Sequence, residues 1–98
     1  MLRQETLKYL RKMCAEYGVK KMILYGSCLH KPEEEANDID LAIDGIEEFT
    51  TLGFAGKLLR AKELDKPVDV INLSSKNLFN SVREIILDEG MIIYEGEV

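Results

Sequence analysis

Leu24-Tyr25-Gly26-Ser27, then the ten residues Cys28 to Asn37, then Asp38-Ile39-Asp40-Leu41: the fold turns on how this stretch is read. An apolar run, Met22-Ile23-Leu24-Tyr25, ends in a small-residue turn. A second apolar run then opens with two carboxylates on alternate positions. Side chains of a strand alternate between its faces, so Asp38 and Asp40 point to one side. Ile39, Leu41 and Ile43 point to the other, into a core. Two carboxylates on one side repel each other unless a cation lies between them. Oxygen donors of this kind suit Mg²⁺, which takes one or two carboxylates and completes its shell with water and phosphate oxygens. The pattern predicts a metal-dependent nucleotide site.

The flanking sequence supplies a small α/β sheet with helices packed on it. Arg3 to Tyr17 has Leu7, Leu10, Cys14 and Tyr17 at helical spacing, and Gly18 is suited to stop that helix. Val19 to Tyr25 reads as a strand, apolar on both faces as a buried central strand is. Lys31 to Asn37 reads as a polar loop, in which Pro32 breaks structure and Glu33, Glu34 and Glu35 seek water. Asp38 to Asp44 is a second strand, ended by Gly45. Ile46 to Leu64 is the longest helical segment, with Phe54, Leu58 and Ala61 on one face and Leu52, Ala55 and Leu59 widening it. Gly53 and Gly56 weaken its first half, so a firm helix is expected only from about Phe54. Asp65-Lys66-Pro67 turns into a third strand, Val68 to Leu73, rich in β-branched residues. Ser74 to Asn77 is a turn, Leu78 to Asp88 a last helix closed by Gly90, and Met91 to Tyr94 a short edge strand. The expectation is a mixed sheet of three to four strands. The connection from Gly26 to Asp38 is too short for a full crossover helix, which excludes a doubly wound fold.

The chain of 98 residues reads as a single domain, residues 1–98, with one modest core. Nothing approaches the ~20 apolar residues of a membrane span, and Met1 to Glu5 lacks the apolar stretch of a signal peptide, so a cytoplasmic location is expected. Cys14 and Cys28 make no zinc or disulfide pattern and read as reduced thiols. A net charge of −5 argues against broad binding to nucleic acid, where Lys and Arg supply most of the affinity. A nucleotide needs only local charge and a divalent cation.

Asp38, Asp40 and Asp69 all stand in predicted strands, where Asp is disfavoured. If the second and third strands are neighbours, the three carboxylates converge. Two Mg²⁺ ions roughly 3.5–4 Å apart then clamp the attacking and leaving oxygens of an in-line phosphoryl displacement, and Asp69 is placed to take the proton of the acceptor hydroxyl. Gly26 and Ser27 supply a turn whose backbone N–H groups and hydroxyl cradle phosphates.

This conjunction resembles the Gly-Ser-x10-Asp-x-Asp signature of the minimal nucleotidyltransferases, the short branch of the polymerase-β superfamily. Pro67-Val68-Asp69-Val70-Ile71 matches the place of that family's third carboxylate. The likeness extends to the leading helix and to Ile86-Leu87-Asp88-Glu89-Gly90 with Ile93-Tyr94-Glu95. It implies a Mg²⁺-dependent transfer of a nucleoside monophosphate, AMP from ATP, to a hydroxyl. In this branch it implies an antitoxin that silences a helical HEPN ribonuclease toxin by modifying its tyrosine and by forming a stable hetero-oligomer. On this likeness Gly26 and Ser27 take the phosphate turn, Asp38 and Asp40 bridge the metals, and Asp69 is third ligand and base. The sequence departs from the family after Ser27. Cys28-Leu29-His30-Lys31-Pro32 replaces the usual small residue, basic residue and second Gly, leaving His30 or Lys31 to stand in for the basic group.

Three hypotheses follow: an enzyme that modifies a partner protein, a module that keeps the fold and neutralises its partner by occlusion, and transfer to an RNA end. The acidic balance disfavours the last. Apolar residues to spare on the terminal helices also suggest dimerisation or a second protein. His30 reads as a loop residue, Cys28 as a packing residue, and Lys57, Arg60, Lys62 and Lys66 as a solvated face.

Overall fold

The structure, a computed structural model, describes residues 1–96. Its elements are α1 (Gln4–Tyr17), β1 (Lys21–Tyr25), two 3-10 turns (Gly26–Leu29 and Glu33–Glu35), β2 (Ile39–Asp44), α2 (Glu48–Leu59), β3 (Val68–Asn72), α3 (Asn80–Glu89) and β4 (Met91–Glu95). The four strands form one sheet in the order β3-β2-β1-β4. β1 pairs antiparallel with β2 and with β4, while β2 and β3 run parallel. The sheet is therefore mixed, as the short Gly26–Asp38 connection and the longer α2 crossover require.

Alternation along the strands sorts the core into two layers. Met22, Leu24, Ile39, Leu41 and Ile43 face α1 and α2, where Leu10, Met13, Cys14, Phe54 and Leu58 close the larger cluster. Tyr17 meets Phe54 edge to face, with ring centres 5.4 Å apart. Ile23, Ala42 and Leu73 face the other way, onto Ile86 of α3. Burying β1 and β2 on both faces is what makes them near-continuous apolar runs.

Four local expectations are corrected. α2 runs unbroken from Glu48 through Gly53 and Gly56 and ends at Leu59. The fully buried anchors Phe54 and Leu58 outweigh the roughly 1 kcal/mol that each glycine costs a helix. Leu52 and Leu59 are exposed and do not widen its apolar face. α3 starts at Asn80, because Leu78 N–H is already bonded to the Ser75 carbonyl in a turn. Glu33 does not seek water: it is 1% exposed, in a short 3-10 turn, and accepts hydrogen bonds from Arg3 N, Nε and Nη2 and from Thr6 Oγ1. A carboxylate satisfied on both oxygens can be buried where its exposed neighbours Glu34 and Glu35 are not.

Candidate active site

Three strands bring three side chains into a row. Tyr25 of β1 is paired with Asp40 of β2, and Asp40 with Asp69 of β3. Paired residues share a sheet face, so the two carboxylates and the phenol stand side by side. Asp38 lies one residue before β2, half-buried, while Asp69 is exposed on the edge strand. Burial and then the charges of Asp38 and Asp69 hold the Asp40 carboxyl above its ordinary range. Burial raises the Tyr25 phenol, and Asp69, Asp40 and Asp38 each raise it further. Its hydroxyl stays neutral among the three charges. Tyr25 is the neighbour of these carboxylates that sequence reasoning overlooked; its place directly before Gly26 was the available signal.

Gly26 follows with φ of 76°, a left-handed conformation that side chains disfavour. A β-carbon there would also collide with the Asp40 carboxylate. The turn then tightens as a 3-10 helix, with the Ser27 carbonyl accepting from both His30 N–H and Lys31 N–H at 3.0 Å. Ser27 is half-buried and His30 exposed. The Cys28 thiol is buried and directed at the Asp38 carbonyl, 3.5 Å away. Burial pushes this thiol up, which suits packing and not nucleophilic attack.

The approaches to the two acidic strands are laced together. Arg3 bonds Glu33 at 3.0 Å and Asp65 at 2.8 Å, joining the connector before Asp38 to the one before Asp69. Lys66 Nζ donates to the Glu34 carbonyl at 3.3 Å, and Ile39 N–H to the Pro67 carbonyl at 2.9 Å. The two strands thus enter the sheet in fixed register at the level of the carboxylates.

Among the described residues, no group of three His, Cys, Asp or Glu side chains is drawn together tightly enough to hold a metal ion by itself. The ion pairs among these residues involve Arg3 and leave Asp38, Asp40 and Asp69 without a cationic side-chain partner. Hard oxygen donors under mutual repulsion fit a divalent cation whose remaining ligands are phosphate and water. A groove of about 560 Å³ between α2 and β3 contains none of the three carboxylates and neither residue of the turn. No described helix is long and apolar enough to cross a membrane.

Known proteins give the same picture of the fold. No curated protein sequence matches the chain. Among solved structures, a mutant of the toxin–antitoxin MntA-HpeT superposes with a TM-score of 0.69 at 16% identity, covering 93% of this chain and 74% of that one. A protein from Shewanella oneidensis gives 0.68 at 18% identity, over 96% of this chain and 74% of that one. A toxin–antitoxin with AMP-PNP gives 0.67 at 18% identity, over 97% and 76%. At these identities the likeness is one of fold. The model of the family described as "Polymerase beta, Nucleotidyltransferase" matches residues 8–97, which takes in the Gly-Ser turn and all three aspartates. The chain therefore belongs to the polymerase-β nucleotidyltransferase family.

Proposed function

We propose that this chain, a single domain over residues 1–98, transfers AMP from ATP to a tyrosine hydroxyl of a HEPN-type toxin in the cytoplasm. It would thereby act as the antitoxin of the pair. The observation that carries this reading is the Asp40–Asp69 pairing across a parallel ladder, with Asp38 one step before β2 and Gly26 against Asp40. The solved toxin–antitoxin complexes of this fold, one of them with AMP-PNP, support the choice of partner and nucleotide.

Asp38, Asp40 and Asp69 would hold the two Mg²⁺ ions, Asp38 and Asp40 in the metal-bridging role and Asp69 as third ligand, and the ions would supply charge neutralisation for the triphosphate and the attacking oxygen. Backbone N–H groups after Gly26 and the Ser27 hydroxyl bind the phosphates. Asp69, exposed on the edge strand, meets the incoming hydroxyl and takes its proton. The acceptor oxygen bonds to the α-phosphorus as the bond to pyrophosphate breaks.

The test is transfer of label from α-labelled ATP to the co-expressed partner. Labelling that stops with EDTA and with Asp40→Asn supports the reading. Its absence from the wild-type pair, or its survival in either control, overturns it. A second reading, neutralisation by occlusion alone, is favoured by the sequence after Ser27, where Cys28-Leu29-His30-Lys31-Pro32 stands in place of the family's usual small residue, basic residue and second Gly. It requires that Asp40→Asn still silence the toxin.

A further inference from the structure

The acidic row ends where a sheet is least secure. β3 is an edge strand, and its ladder with β2 begins at the pair Ile39–Val68, so Asp40 and Asp69 stand one step from its end. Strand ends fray, with opening free energies near zero. Like charges directly opposite each other push such an end apart. The Ile39 N–H bond to the Pro67 carbonyl closes it from within the backbone; further ties lie outside the sheet.

Arg3, directly before α1, grips both approaches to this end. Its backbone N–H, Nε and Nη2 donate to Glu33 at 2.9, 3.2 and 3.0 Å, on the connector that leads to Asp38. The same Nη2 donates to Asp65 at 2.8 Å, on the connector that leads to Asp69. Glu33 is itself fixed: it is buried, and Thr6 Oγ1 of α1 donates to it at 2.9 Å. Ala36, between Glu33 and Asp38, is packed in the larger core cluster. One end of the clamp is thus anchored in the core, and the other reaches an exposed carboxylate. A planar guanidinium suits this, because its several donors hold two carboxylates in a fixed geometry. Lys66 Nζ adds a parallel tie, to the Glu34 carbonyl at 3.3 Å.

We infer that Arg3 is a positioning residue of the metal site: through Glu33 and Asp65 it holds the Asp69 end of β3 against β2, so that the three carboxylates are assembled before a cation arrives. Among the described residues Arg3 pairs with Glu33 and Asp65 and not with the site carboxylates. It acts by raising the fraction of molecules whose site is closed, and the apparent affinity for the cation scales with that fraction. The inference rests on the nucleotidyltransferase reading and adds what keeps its metal ligands together.

Mn²⁺ suits the same oxygen donors as Mg²⁺. It is titrated into the full chain without nucleotide, and the free ion is read by electron paramagnetic resonance. Asp65→Ala cuts the clamp at its exposed end and is expected to weaken Mn²⁺ binding about three- to fivefold. Arg3→Ala removes both arms and is expected to weaken it about tenfold. Ile43→Val, a core truncation toward the far end of β2, lowers the urea midpoint and leaves Mn²⁺ affinity unchanged. An affinity within about 1.5-fold of the wild type in either clamp variant, or an equal loss in Ile43→Val, overturns the positioning role and leaves the nucleotidyltransferase reading standing. Wild-type binding no tighter than that of Asp40→Asn removes the metal site, and the positioning role with it.

Discussion

Gly26 and Asp40 are so close that a β-carbon on the first would enter the space of the second's carboxylate. The contact joins the phosphate turn to the central acidic residue, and it exists because Gly26 adopts a positive φ. Gly26→Ala adds left-handed strain of about 1–2 kcal/mol and pushes Asp40 aside. Thermal melting is expected to fall by about 5–10 °C. Label transfer is expected to fall by about 10–100-fold, since small displacements of reacting groups are costly.

The raised Asp40 carboxyl makes a pH prediction for the metal-free protein. Its folded form holds a proton more tightly than the unfolded chain does. Between the ordinary carboxylate range near ~4 and the raised value, stability therefore falls as pH increases. Asp40→Asn should flatten that part of the profile and raise the metal-free melting temperature by a few degrees. Mg²⁺ should stabilise the wild type and not the variant. Melting curves across pH, with and without Mg²⁺, decide this; a variant that melts lower than the wild type contradicts it.

Glu33 and Asp65 share Arg3 but differ in burial, 1% against 68% exposed at the side chain. Glu33→Gln leaves part of a buried network unsatisfied and should cost about 1–3 kcal/mol. Asp65→Ala removes a solvent-screened partner and should cost less than about 1 kcal/mol. Urea unfolding of both variants checks the order, and equal losses would contradict the arrangement.

Both cysteines are buried and unpaired. Burial pushes the Cys14 thiol up to about 12, and raises Cys28 as well. Neither should react with a thiol reagent in the native protein near pH 8, whereas both should react in denaturant. Rapid native labelling of Cys28 would show that the turn opens.

The acidic pair was legible because strand periodicity is local: Asp40 and Asp69 each interrupt an apolar run, and β2 and β3 proved to be neighbours. The helix ends were less so. Gly53 and Gly56 argue against a helix that Phe54 and Leu58 hold from within the core, and that burial is a tertiary fact. Glu33 was illegible for the same reason. Nothing in a run of three glutamates marks the one that Arg3 and Thr6 will bury. Tyr25 read as one more apolar strand residue until its pairing with Asp40 placed it beside the carboxylates.

The parallel pairing of β2 with β3 also bears on the order of events as the chain folds. β1 and β2 can zip together across their short connector, but β3 must wait for α2 to cross and dock. On that order the like charges at Asp40 and Asp69 are expected to meet late, so that their repulsion weighs on the finished state and not on the barrier to reaching it. Asp69→Asn should slow unfolding in metal-free buffer while leaving the refolding rate unchanged. Cation supply would then govern how long the domain lives once made, not how fast it is made.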